Sequence, residues 1–552
     1  TVSEGMVSLA AISTIAGLEM YYEGGFAIAW WMFLVIPATV ILAMSGWVVY
    51  RFRETRAMTM GQFFEIRYSK NFRIFTGILA WTSGIINFGI FPAVGSRFFI
   101  YFCGFPTSIP MGGFEVETQP LIMFGLIATA LFFTFVGGQI AVMVTDFLQG
   151  AYCNIGLMVI MGFFLWKFDW AVVSETFSRA PAGMSLINPF DTTKIPDFNI
   201  WYYLIGFLGI FFGTLSWQGS QGYQCSARSA HEMKMAKILA NFRTVISSIM
   251  YLILIMGVYV AMNHESYAHV SQSVSTVLNK ISTESEDVIR TQMLVPVALS
   301  KLLPVGLMGL FCAIMLSAFI STHDTYLHSW GSIFIQDVVL PFRKKPFTPK
   351  QHLVLLRFSI CFVALFIFIF GLWFRQTQHI FLYMAITGAI YTGGIGAVII
   401  GGLYWKKGTT TAAWVTMIYG STVSIAAIIT QQLWDRIYGE RFPINSQYIT
   451  FFIMCSCVII YVVISLFGQK TRFNIERMLY RGRYAHKDSL EGDSVPLRGL
   501  KVIGFTKDMP WKDKMAYLAV GVWFLGWLLV FIIGSVYHGL YGISNNGWIS
   551  LW

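Results

Sequence analysis

The chain has 552 residues, of which 56% are hydrophobic, 17% aromatic and only 12% charged, with a formal net charge of +11. Soluble domains carry about 25% charged residues, and disorder needs low hydrophobicity with high charge, so both classes are excluded, as are collagen-like, coiled-coil and disulfide-scaffold chains. A mean hydropathy of +0.64 leaves a polytopic membrane protein.

A bilayer core of about 30 Å takes roughly 20 apolar residues per helix. Only helices or closed barrels satisfy their backbone there. Segments 252–260, 360–370 and 520–533 are apolar on every side, which rejects the alternation of barrel strands. The expected fold is all-α. Thirteen spans are predicted: 5–23, 27–50, 74–103, 119–140, 146–167, 199–224, 237–262, 295–338, 354–374, 378–404, 411–431, 448–468 and 515–536. The 295–338 segment exceeds one crossing and is expected to bend or to continue past the membrane.

Basic residues set the sidedness. With the 51–73 loop inside, alternation places 225–237, 339–350, 405–410 and 469–514 on the same side, and these segments hold 26 of the 38 Lys and Arg. The opposite loops hold seven: Arg179, Lys194, Lys280, Arg290, Arg375, Arg436 and Arg441. This is a strong positive-inside pattern. It accounts for the net charge without a nucleic-acid partner and predicts a multi-pass plasma or inner membrane protein. The long 469–514 loop reads as a solvated connector, with a docking segment for a partner protein as the alternative. The seven cysteines lie mostly within spans and read as small packing residues. The chain opens on Thr1 and shows no signal peptide.

The first span is rich in small residues and holds Ser8, Ser13 and Thr14, then Glu19 and Glu23. A carboxylate at membrane depth costs a few kcal/mol and normally faces a cavity or a partner. Small residues also permit an interrupted helix, whose freed carbonyls bind cations. The competing readings are helix packing for the serines and an interfacial position for Glu23. In the eighth span, Ala318, Ser321 and Thr322 stand at i, i+3 and i+4, on one helix face. Two hydroxyls beside a free carbonyl suit a monovalent cation, whereas divalent ions want more carboxylates. The plainer alternative is that both hydroxyls bond back to the i−4 carbonyl. Asp146 and Asp324 are further acids in or near the membrane, candidates for an ion pathway. His323 and His328 do not share a face and suggest no metal site. No catalytic constellation or organic-cofactor motif is present, so an enzyme is not expected.

Several segments resemble the sodium/solute symporter family, which includes sodium–glucose, proline and sialic acid transporters. Met60-Gly-Gln-Phe-Phe-Glu-Ile-Arg-Tyr-Ser is similar to its "PEFLEKRYS" stretch. Gly137-Gly-Gln-Ile-Ala-Val-Met-Val-Thr-Asp-Phe-Leu-Gln is similar to "GGLxAVxxTDxxQ". Leu303-Pro-Val-Gly-Leu-Met-Gly-Leu, Ala318-Phe-Ile-Ser-Thr and Phe334-Ile-Gln-Asp337 follow "LPxGLxGL…AxxSS/T…FxxD". Gly402-Leu-Tyr-Trp-Lys-Lys-Gly-Thr is similar to "LGLFWKKxT".

The resemblance implies a five-plus-five inverted repeat of the LeuT type. The repeats would be 1–170 and 198–405, followed by two helices over 411–468, a cytoplasmic loop over 469–513 and a last helix with an external tail over 514–552. It implies sodium-coupled import of a small organic solute by alternating access. The alternative is a transporter-like sensor or scaffold without net transport. The family's sodium site falls on carbonyls near Ala11 and Thr14, the carbonyl of Ala318, and the hydroxyls of Ser321 and Thr322. Sodium is then the coupling ion. The family's usual Gln-Arg reads Gln224-Cys225 here, with Arg228 as a substitute partner for Asp146. The polar sugar contacts of the glucose branch are not recognisable. Glu19 and Glu23, with Trp31, Trp217 and Tyr383, are candidates to hold a cationic or amine-bearing solute by charge and cation–π contact.

Overall fold

The computed structural model describes residues 10–111, 113–219, 230–281, 287–343, 345, 347–468, 473–484 and 509–552. In chain order, the first elements are α1 (Ala11–Ser45), α2 (Val49–Glu54), α3 (Met60–Arg67), α4 (Lys70–Phe88) and α5 (Phe91–Cys103). A two-stranded antiparallel hairpin follows, β1 (Ser108–Met111) and β2 (Phe114–Glu117), with Ser108 opposite Glu117. Next come α6 (Thr118–Lys167), α7 (Trp170–Ser178), α8 (Ile200–Gly213) and α9 (Ala230–Asn263). Then come α10 (Ala268–Leu278), α11 (Asp287–Leu302) and α12 (Val305–Ile333), the last continued by a π-helical turn over Phe334–Val339. The C-terminal part contains α13 (Pro349–Trp373), α14 (Ile380–Tyr404), α15 (Thr410–Tyr438), α16 (Ser446–Phe467), α17 (Ile475–Met478), α18 (Trp511–Tyr541) and α19 (Asn545–Leu551).

Local chemistry sets most of the ends. Thr59, Ser69, Asn199, Thr409 and Asn445 cap their helices with a side-chain oxygen that accepts a free backbone N–H. Thr348 and Gln351 form a reciprocal capping box, with Pro349 at the first helical position. Gly46, Gly104 and Gly439 end α1, α5 and α15 in the left-handed region.

Eleven helices among the described residues are long and apolar enough to cross a membrane. The count differs from the predicted thirteen at two places. The 5–23 and 27–50 spans lie on α1, which bends at Gly25 (φ 52°, ψ −133°). There the chain changes direction, and Phe26 N and Ala27 N donate to Leu186 O at 2.8 and 3.3 Å. A side chain at Gly25 would sit 2.8 Å from that carbonyl. The predicted 199–224 span stops being helical after Gly213. Leu215 takes φ 61°, and Gln218 Nε2 donates to Leu215 O and Ser216 O at 2.9 and 3.2 Å. Gln224, Cys225 and Arg228 lie outside the described residues, as does Ser8.

The long 295–338 prediction is resolved at Leu303-Pro304, which separates α11 from α12. Proline has no N–H to continue the ladder, and its ψ of 156° is extended. Helix α6 divides at Gly138 (φ 56°), two residues before the end expected for the first of the two spans there. The interruption foreseen within the first span is not seen between Ala11 and Gly24; the helix begins at Ala11, and Ala10 is extended.

Small residues let the helices approach closely, as membrane packing requires. Gly84 of α4 faces the Trp330 ring, Gly95 of α5 faces Phe319, and Gly17 of α1 faces Tyr251. Helix α12 packs on α6, α13 and α1, while α14 packs on α15, α16 and α4. Part of the predicted connector is docked rather than solvated. Ile475, Met478 and Leu479 are buried, and Arg481 Nη2 meets both Glu54 carboxylate oxygens at 2.8 and 2.6 Å. The Cys103 and Cys312 sulfurs lie 3.7 Å apart.

Candidate ion and solute site

The oxygen-bearing face of α12 is deeply buried: Ala318 and Ser321 are inaccessible, and Thr322 is 2% exposed. Thr322 Oγ1 donates to the Ala318 carbonyl at 2.9 Å. Ser321 Oγ donates to Asp146 Oδ1 at 2.5 Å. Asp146, itself fully buried, sits beyond the Gly138 bend in α6. A hydroxyl that donates one hydrogen bond keeps its lone pairs, so Ser321 and Thr322 each keep an oxygen able to accept, beside the Asp146 carboxylate, while the Ala318 carbonyl already serves the helix ladder and Thr322 Oγ1.

Ala11 and Thr14 occupy the first turn of α1, which packs against α12. Both are buried, and Thr14 Oγ1 donates to Ala10 O at 3.0 Å. Direct bonds thus join Ser321 to Asp146 and Thr322 to Ala318, while Ala11 and Thr14 stand on the facing helix beside an extended residue. Asp324 is also fully buried. Its Oδ1 faces Thr325 Oγ1 at 3.5 Å, and its Oδ2 has no hydrogen bond among the described residues. His323 is a packing residue: its Nδ1 lies 2.8 Å from Phe319 O, and its ring stacks on Phe319 at 3.5 Å.

The five solute candidates do not form one pocket. Glu19 and Glu23 meet a residue the sequence reading missed. His379 Nδ1 lies 2.9 Å from Glu19 Oε1, and its Nε2 lies 3.0 Å from Glu23 Oε1 and 3.3 Å from Asp197 Oδ2. Arg441 Nη1 pairs with Asp197 at 3.1 Å. Trp31 is tied elsewhere, donating to Pro189 O at 3.2 Å and stacking on Tyr203. Trp217 and Tyr383 belong to a central region. Trp217 Nε1 donates to Tyr326 Oη at 3.1 Å, and its ring meets Trp330 edge-on. Tyr383 Oη donates to Ile86 O at 2.5 Å.

Between them lies a polar patch that no local pattern announced. Asn87 Nδ2 donates to Thr387 Oγ1 at 2.8 Å, Ser83 Oγ to Thr387 O at 2.8 Å, and Asn87 Oδ1 has no hydrogen bond among the described residues. Asn87 Oδ1 is thus a spare acceptor buried on α4, the helix whose Gly84 faces the Trp330 ring.

The motifs at the inner side prove to be one assembly. Arg67 donates to Gly402 O and Gly408 O at 3.0 and 2.9 Å, and Tyr68 Oη donates to Val398 O at 2.8 Å. Arg73 pairs with Asp337 of the π-helical turn at 2.9 Å, and Thr59 Oγ1 donates to the same carboxylate at 3.1 Å. Three stretches far apart in sequence meet at the basic face.

The chain thus combines polytopic α-helical packing with a buried cluster of oxygens on α12 and α6 and a separate group of packed aromatic rings. A family profile described as "Sodium:solute symporter family" matches residues 5–420. The chain is 25% identical to a sodium/pantothenate symporter of Haemophilus influenzae over 74% of its own length and 77% of the relative's. It is 23% identical to sodium/glucose cotransporter 1 of Oryctolagus cuniculus, over 71% of this chain and 60% of that one. Among solved structures, it resembles a Na+-coupled sialic acid symporter in a substrate-bound outward-open state, with a TM-score of 0.64 and 17% identity over 86% of this chain and 90% of that one. The chain belongs to the sodium:solute symporter family. It is a multi-pass cell-membrane protein that couples transport to sodium, not an enzyme.

Proposed function

We propose that sodium binds among the carbonyls of Ala11, Thr14 and Ala318 and the hydroxyls of Ser321 and Thr322, with Asp146 supplying the negative charge. The observation that supports this reading is the buried Ser321–Asp146 bond beside the Thr322–Ala318 pair. Asp324 lies on the same helix, within Coulombic reach of Asp146, and extends the ion's route. The two five-helix repeats, 1–170 and 198–405, rock about this site. Sodium favours the outward-open form and the solute binds that form too, so each raises the other's affinity. A membrane potential of 100 mV contributes about 2.3 kcal/mol per sodium moved inward, enough for roughly a 50-fold solute gradient.

The solute occupies the region between Trp217 and Tyr383, where Asn87 Oδ1 offers an acceptor. Glu19 and Glu23 are paired with His379, so a cationic or amine-bearing solute would have to compete with that imidazole for them. The test is uptake in proteoliposomes across a panel of amines, amino acids, sugars and carboxylates, with and without a sodium gradient. Sodium-stimulated uptake that disappears in the Ser321→Ala, Thr322→Ala protein supports the assignment. Unchanged sodium stimulation in that variant refutes it.

A further inference from the structure

We propose that His379 is the outer gate residue: as an imidazolium it clamps the outer end of the sodium-binding helix α1 to α14, and loss of its proton releases the outward-open form. The inference rests on the alternating-access reading above and names what controls its outer side.

Four separate stretches converge on this imidazole. Glu19 and Glu23 come from the outer end of the first half of α1, Asp197 from the segment before α8, Arg441 from the segment before α16, and His379 itself immediately precedes α14. The site lies on the side opposite the Lys- and Arg-rich loops. His379 is 3% exposed and Glu19 is 1% exposed. Glu19 Oε2 also accepts from Ile380 N at 3.3 Å, so α1 is tied to the first turn of α14 twice. Glu19 stands five residues beyond Thr14, about 7 Å along the helix axis. A strain at the clamp is therefore felt at the ion site.

The charge balance makes the clamp protonation-dependent. Three carboxylates face His379, and Arg441 compensates Asp197 alone. Nearby, Asp435 pairs with Arg375 at 3.9 Å, which leaves His379 as the cation for Glu19 and Glu23. The Phe198 ring lies 5.2 Å from the imidazole, and Asp197 also lines a small cavity shared by Gln378, Asp435 and Arg441 with Leu382 and Phe442.

Burial alone would strip the proton from His379, but the carboxylates of Asp197, Glu19 and Glu23, all within 3.3 Å of its ring nitrogens, outweigh it and hold the imidazole well above the usual histidine range. Burial likewise opposes the charge on Asp197, and His379 and Arg441 outweigh it, keeping that carboxyl below its usual range. The sign follows. A raised histidine contributes stability fully present below its ordinary value of about 6.5, and that stability is lost as pH rises through the elevated folded-state value. The closed outer gate is thus strongest at acidic and neutral pH and weakens on the alkaline side.

Sodium itself is the probe. The full-length protein in nanodiscs is titrated with NaCl against choline chloride at pH 6, 7.5 and 9, read by intrinsic tryptophan fluorescence. The apparent affinity of a ligand scales with the fraction of molecules in the competent form. The wild type should bind sodium more tightly as pH rises, by up to about tenfold per pH unit for one released proton. His379→Gln should be tight and His379→Arg weak, both nearly independent of pH. Thermal unfolding without sodium forms the second arm: the wild type should lose stability towards pH 9 relative to His379→Arg. The proposal is overturned if both variants follow the wild-type sodium curve, or if wild type and His379→Arg share one stability profile. Absence of any sodium response in the wild type refutes the sodium reading instead, and the stability arm still decides the clamp.

Discussion

The middle of the molecule and its outer face both gather buried oxygens, but they do so with opposite materials. On α12 the proposed sodium ligands are hydroxyls and a helix carbonyl, with Asp146 as the formal charge bonded to Ser321. At the outer face, three carboxylates crowd one histidine. A site that must release its ion cheaply is better built from neutral dipoles, whereas a contact that must hold two helices shut gains from full charges. The inner face resembles the outer one, with Arg73–Asp337 and Arg481–Glu54 as its fastenings.

The sharpest way to break this contrast is at the inner fastening. Arg73→Ala strands the buried Asp337 carboxylate, and removing one partner of a buried pair costs about 3–5 kcal/mol. The melting temperature of the purified protein should fall markedly, and a fall no larger than that of a surface Lys→Ala control would show the pair to be idle. Next comes the middle. Hydrogen bonds to charged groups are worth about 1.5–3 kcal/mol each, so Ser321→Ala with Thr322→Ala should weaken sodium binding by at least about a hundredfold, with the protein still folded by size-exclusion chromatography.

Asp146→Asn sharpens the question of whether the middle site is neutral. The amide oxygen still accepts from Ser321 while the charge is gone, so sodium affinity should drop by roughly tenfold, about 1.4 kcal/mol. An unchanged titration would assign the ion wholly to neutral ligands. The smallest effect is expected at the partly exposed Arg481–Glu54 pair. Glu54→Gln should cost at most about 1 kcal/mol and speed limited proteolysis around 473–484, without altering sodium binding.

Part of the oxygen cluster on α12 was legible before the fold. The i, i+3, i+4 spacing puts Ala318, Ser321 and Thr322 on one face whatever surrounds the helix. Asp146 and Glu19 were conspicuous as acids in apolar runs, and the cost of burying them demanded partners. What those partners are could not be read locally. Ser321 lies 175 positions from Asp146, and the short polar run 375–379 looks like any connection. Trp31 shows the converse: it shares a helix with Glu23, yet the Gly25 bend sends it to Pro189 and Tyr203 instead of the solute region.

The sequence by itself determined the membrane class and the all-α fold, and its loop charges and capping residues are local signals of the same kind. Apolar transfer, loop charge and capping are sums of local terms, each fixed by residues a few positions apart. The tertiary structure alone decided which acid meets which cation, because that energy depends on distance through space and on burial, and neither exists until α1, α6, α12 and α14 have packed.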